Sequence, residues 1–91
     1  MSWRVKYKRT FLKELARLPS GVRERVEAIA FGEEIQNDPF LVGRTQKLAG
    51  YSAHYKMRVG DYRIGLHIDP ELKIVELQRV LHRREIYRKF P

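Results

Sequence analysis

The chemistry available to this chain lies in cations that converge with few acids among them. Lys56, Arg58 and Arg63 fall within eight residues of one another, and His82-Arg83 follows near the C-terminus. Amines, guanidinium groups and imidazoles without carboxylate partners serve to hold negative charge. The two arginines are the strongest pointer. The segment from Tyr55 to Ile68 alternates apolar and polar residues on both sides of Gly60-Asp61, the pattern of two half-buried strands. A two-residue loop that begins with glycine fits a type II′ hairpin turn. In that register Val59 pairs with Tyr62, Arg58 with Arg63, Met57 with Ile64 and Lys56 with Gly65. Like charges set opposite each other on neighbouring strands are destabilising. A bound polyanion is the simplest reason to place Arg58 against Arg63.

Alternation also sorts the hairpin into faces. Tyr55, Met57, Val59, Tyr62, Ile64, Leu66 and Ile68 are expected to face a core. Lys56, Arg58, Arg63 and His67 share the opposite face, and His82-Arg83 supplies a further cation.

The whole composition agrees with an anionic partner. The 91 residues carry a formal net charge of +8. From Pro39 to Ile68 there are five Lys or Arg and one acid, Asp61. From Leu77 to Pro91 there are five more, against Glu85 alone. Clustering of this kind is the footprint of a nucleic-acid partner or an acidic protein partner. Cysteine is absent, which excludes disulfides, thiolate metal sites and cysteine nucleophiles. No apolar run approaches the ~18 residues of a membrane span. The stretch Met1 to Lys6 lacks the apolar core of a signal peptide, so a cytoplasmic location without membrane contact is expected.

The elements that position these residues form one domain over residues 1–91. Trp3 to Lys8 alternates and predicts an opening strand. Thr10 is the expected N-cap of a short helix with Phe11, Leu15 and Leu18 on its inner face, stopped by Pro19. Ser20 is the expected cap of a second helix running to about Gln36, with Val22, Val26 and Ile29 inward. Phe40 to Ser52 reads as a loop. The hairpin follows, then a turn at Asp69-Pro70-Glu71 and a strand over Lys73 to Leu81. Glu85 to Phe90 predicts a short helix or a tail. The order is β-α-α-β-β-β, an α+β domain with a small, antiparallel-dominated sheet. Both helices cover one face and the basic residues keep the other.

Two blocks then carry a family likeness. Tyr55-Lys56-Met57-Arg58-Val59-Gly60-Asp61-Tyr62-Arg63, preceded by Lys47-Leu48-Ala49-Gly50, is the first. The run from Arg79 through His82-Arg83-Arg84-Glu85-Ile86 to Tyr87 is the second. Together they resemble the RelE branch of the RelE/ParE toxin superfamily, over essentially the whole chain. The resemblance implies a RelE-like fold and a type II toxin that cuts mRNA in the ribosomal A site without a metal or other cofactor. It also implies a RelB-like antitoxin as partner, with operator DNA met only through the toxin–antitoxin complex. The family's functional residues fall on Lys56, Arg58, Arg63, Arg83 and Tyr87. Lys47, His82 and Arg84 are further candidates for substrate contact. Where some members carry a second lysine this chain has Arg58, and where some carry a lysine before the last arginine it has His82.

The implied reaction is attack of a ribose 2′-hydroxyl on the adjacent phosphate. Arg63 is the candidate to stabilise the phosphoryl charge, with Arg58 sharing it. Lys56 is the candidate general base, Arg83 would neutralise the leaving oxygen, and Tyr87 would stack on a base or orient the phosphate. A two-histidine mechanism is disfavoured, because His54 and His67 pair far from the turn. No acidic pair or His/Asp cluster lies near the basic face, which argues against a metal site. Two other readings stay open: a ParE-like inhibitor of DNA gyrase, and a basic module that binds nucleic acid without cutting it.

Overall fold

A computed structural model describes residues 2–41 and 43–91. Its elements are β1 (Arg4–Tyr7), α1 (Arg9–Ala16), α2 (Ser20–Ala30), α3 (Glu34–Asn37), β2 (Thr45–Lys47), β3 (His54–Val59), β4 (Tyr62–Asp69), β5 (Ile74–His82) and α4 (Arg83–Lys89). One sheet runs β1-β5-β4-β3-β2. β1 joins β5 in parallel and every other pairing is antiparallel. The expected α+β architecture holds, with additions at both sheet faces.

The hairpin forms in the expected register, from His54 opposite His67 to Val59 opposite Tyr62. Gly60 has φ +58° while Asp61 stays out of the positive region. Positive φ at the first central residue alone is the mark of a type II′ turn. Met57, Val59, Ile64, Leu66 and Ile68 are buried together against Phe11, Leu15, Val26, Ala30 and Ile35 of the helices. Tyr55 reaches the same core, edge-on to Phe40 at 5.5 Å. Tyr62 does not: at the sheet's end it packs on the His82 ring at 5.4 Å.

β5 holds an irregularity that period-two reading does not foresee. Leu77 and Val80 are both fully buried although three residues apart. Gly65 pairs with Arg79 while Leu66 pairs with Leu77, which leaves Gln78 as an extra residue. This β-bulge returns Val80 to the core side.

The helix ends differ from expectation. Lys8, not Thr10, precedes α1, and Pro19, not Ser20, precedes α2; neither end has a side-chain cap. The second helix does not run to Gln36. It stops at Ala30, where the Tyr7 hydroxyl donates to the freed end carbonyl at 2.6 Å. The break also lets Ala30 and Ile35 both face the core. In one continuous helix they would point roughly 140° apart. Within the expected loop, Thr45–Lys47 is an edge strand on β3; Val42, in the same stretch, lies outside the described residues.

The second sheet face is not left wholly to basic residues. α4 lies across it and buries Ile86 and Phe90 there. Of the two expectations for Glu85 to Phe90, a short helix or a tail, the helix is the one that forms, and it is docked.

Candidate functional site

Docking of α4 turns a flat basic face into a groove of about 1040 Å³. Its floor is Lys56 on β3 and Arg63 on β4. One wall is Gln46 and Lys47 of β2 with Leu48 and Ala49 after it. The other is α4, which contributes Arg83, Arg84 and Tyr87. Six of the eight sequence-designated residues thus meet around one space. Among the described residues, no Asp, Glu or His lines it.

The sharp turn sets the geometry. Arg63 Nη1 donates to the carbonyls of Gly60 and Tyr62, each at 2.8 Å. The guanidinium is therefore fixed against the turn with its other donors free of any described partner. Arg83 N–H donates to the Asp61 carbonyl at 2.8 Å, so the same turn anchors the start of α4. The Arg63 pKa is pushed below the ordinary arginine value, first by partial burial, then by Arg58 and Arg83, with Asp61 opposing. Arginine remains protonated even so. The repulsion is a measure of how closely three cations are held with little to neutralise them.

Arg58 stands opposite Arg63 and is exposed, outside the groove lining, beside the turn. His82 also lies outside the lining. Its Nδ1 accepts from Arg84 N–H at 3.3 Å and caps α4, so it shapes the wall from behind. Tyr87 is 84% exposed, which removes the alternative of a core aromatic. Glu85 makes an ion pair with Lys89 at 3.4 Å. The other two histidines face each other across the hairpin, their rings 5.1 Å apart and His54 5.7 Å from Phe90.

Two polar groove residues were not legible beforehand. Gln46 belongs to a three-residue strand with no apolar alternation to reveal it. Arg88 becomes part of the wall only once the tail is helical. A further cation lies at the turn itself: Arg25 Nη1 is 3.2 Å from where a Cβ on Gly60 would be. Among the described residues no group of three His, Cys, Asp or Glu could hold a metal ion.

The arrangement can grip a phosphodiester from several sides and present an aromatic ring beside it. Comparison with known proteins gives this geometry a context. Residues 5–87 match the family model described as the ParE toxin of the type II toxin-antitoxin system, parDE. Toxin RelE3 of Methanocaldococcus jannaschii is 38% identical over 91 residues, covering 97% of this chain and 99% of that protein. Toxin RelG of Mycobacterium tuberculosis is 34% identical, covering 98% and 100%. The crystal structure of the RelB-RelE antitoxin-toxin complex from Methanococcus jannaschii superposes with a TM-score of 0.74 at 36% identity, covering 94% of this chain and 99% of that one.

Proposed function

The chain belongs to the ParE toxin family as a RelE-type toxin of type II toxin–antitoxin systems, and on that premise we propose that it cleaves mRNA in the ribosomal A site. The observation that carries this reading is the groove that brings Lys56, Arg63, Arg83 and Tyr87 together without a carboxylate among its described lining residues.

In the proposed reaction the 2′-oxygen forms a bond to phosphorus and the bond from phosphorus to the 5′-oxygen breaks. Lys56 takes the role of base toward the 2′-hydroxyl proton. Arg63, oriented by the turn carbonyls, meets the growing charge on the phosphoryl oxygens. Arg83 neutralises the departing 5′-oxygen until water protonates it. Arg58 holds a neighbouring phosphate at the mouth, and Lys47 and Arg84 hold the strand along the walls. Tyr87 stacks on a base. The need for a 2′-hydroxyl restricts the substrate to RNA. The groove contains few groups suited to proton transfer, which supports a substrate positioned by the ribosome.

The proposed partner in the silent state is a RelB-like antitoxin, in keeping with the relative solved as a RelB-RelE complex. An acidic or amphipathic segment suits the charge of the groove, and association should be fast and salt-sensitive. Among the described residues no helix is long and apolar enough to cross a membrane.

The test is cleavage of a defined mRNA on programmed ribosomes with an empty A site, wild type against Arg63→Ala. Cleavage by the wild type that the substitution largely abolishes supports the reading. A folded, toxic protein that leaves the mRNA intact overturns it and turns attention to gyrase.

A further inference from the structure

Arg79 differs from the other arginines of the C-terminal cluster because, among the described residues, its side chain has partners. β1 ends at Tyr7, opposite Leu77, and Lys8 N–H makes the last bond to Leu77 O at 3.0 Å. Beyond that point the outer edge of β5 has no strand beside it. A side chain closes it instead: Glu14 of α1 accepts from Val80 N–H at 3.1 Å. The same carboxylate accepts from Arg79 Nε at 3.1 Å and from Nη2 at 2.6 Å. The free arm of the guanidinium, Nη1, donates to the carbonyl of Lys89 at 3.2 Å.

This contact joins the two sides of the molecule. α1 packs on the core face and α4 on the groove face, and Arg79 reaches both around the sheet edge. Lys89 is the last residue of α4, and its carbonyl has no partner within the helix. A seven-residue helix does not persist without tertiary support. At its start α4 has the bond from Arg83 N–H to Asp61. At its end it has Phe90 on the sheet and the Arg79 bond. Between those anchors stand Arg84 and Tyr87, facing Lys56 and Arg63 across the groove. A planar fork can serve Glu14 and Lys89 at once, whereas a lysine at the same site has one ammonium for both.

We propose that Arg79, held in place by Glu14, is a positioning residue: it fixes the C-terminal end of α4 and so the place of Tyr87 over the groove floor. The structural part stands on the contacts alone. The consequence for cleavage rests on the proposed function.

The experiment is hydrogen exchange on the full chain for wild type, Arg79→Lys, Glu14→Gln and, as control, Val22→Ala in α2, away from α4. In both edge variants the amides near the end of α4, Phe90 N–H to Ile86 among them, should exchange about tenfold faster while β3 and β4 amides keep their rates. The control should speed exchange only in step with β4. Unchanged α4 rates in Arg79→Lys, or rates that rise only in step with β4, overturn the proposal. On programmed ribosomes, Arg79→Lys should lower kcat/KM about tenfold, and should add little once Tyr87 is already alanine. Fully multiplying losses would overturn the path through Tyr87. If the wild type does not cleave, the proposed function falls, and exchange still decides the role of Arg79.

Discussion

The ring of Phe90 occupies the place that a side chain on Gly65 would need. A Cβ built on Gly65 would lie 2.7 Å from Phe90 Cε1. Gly65 is opposite Lys56 on one side and Arg79 on the other, so the notch sits in the middle of the groove face. An absent side chain thus lets the end of α4 touch the sheet.

Gly65→Ala tests this contact. The methyl group must displace the ring, and overpacking of this kind costs about 1–3 kcal/mol. A fall in the denaturant midpoint together with faster exchange at α4 is expected. An alanine variant with unchanged midpoint and a protected α4 would show that Phe90 has another equally good seat.

Arg63 is expected to be dispensable for folding and required for chemistry. It is half-buried and bonds only to turn carbonyls among the described residues. Loss of one preorganised donor at a developing oxyanion costs about 10²–10³ in rate. Arg63→Ala should therefore lose cleavage on that scale with little change in melting, and Arg58→Ala, at the mouth, should lose less. Equal losses at the two positions would place the phosphate between them.

The hairpin was legible because period two and a Gly-Asp turn fix its register locally. His54 to Val59 and Tyr62 to Ile68 needed no information from elsewhere in the chain. What could not be read depends on distant partners. The last carbonyl of α2, at Ala30, is satisfied by a tyrosine 23 residues earlier. β2 owes its existence to the open edge of β3. The burial of Phe90 requires a glycine 25 positions earlier in the chain, which no pattern in the tail announces. Arg79 looked like one more free cation because Glu14, its partner, lies 65 residues away. The groove cations other than Arg88 were therefore readable, but the wall that makes them a groove was not.

Acid should weaken the fold through His54. Its pKa is held below the ordinary histidine value by partial burial first, then by His67 and Lys8. The unfolded chain therefore binds more protons than the folded one around and below about pH 6.5, and stability rises with pH across that interval. Full stability is present above about 6.5 and is lost as pH falls through it. The denaturant midpoint should drop between about pH 7.5 and about pH 5.5, still above most carboxylate titration. His54→Gln should flatten the slope. An equally steep slope in the variant would assign the effect to another group.

Tyr87 separates stacking from hydrogen bonding. Because the side chain is 84% exposed, neither Tyr87→Phe nor Tyr87→Ala should move the melting temperature appreciably. Stacking of an aromatic ring on a base contributes about 1–3 kcal/mol, so the alanine variant should bind the programmed ribosome roughly 5–150-fold more weakly. A ring suffices for stacking, and the phenylalanine variant should then keep most of the affinity. If phenylalanine is as damaging as alanine, the hydroxyl is the working part, and it must reach the phosphate that Arg63 and Arg83 hold. That outcome would move Tyr87 from the base to the reacting group, and with it the proton that the leaving oxygen requires.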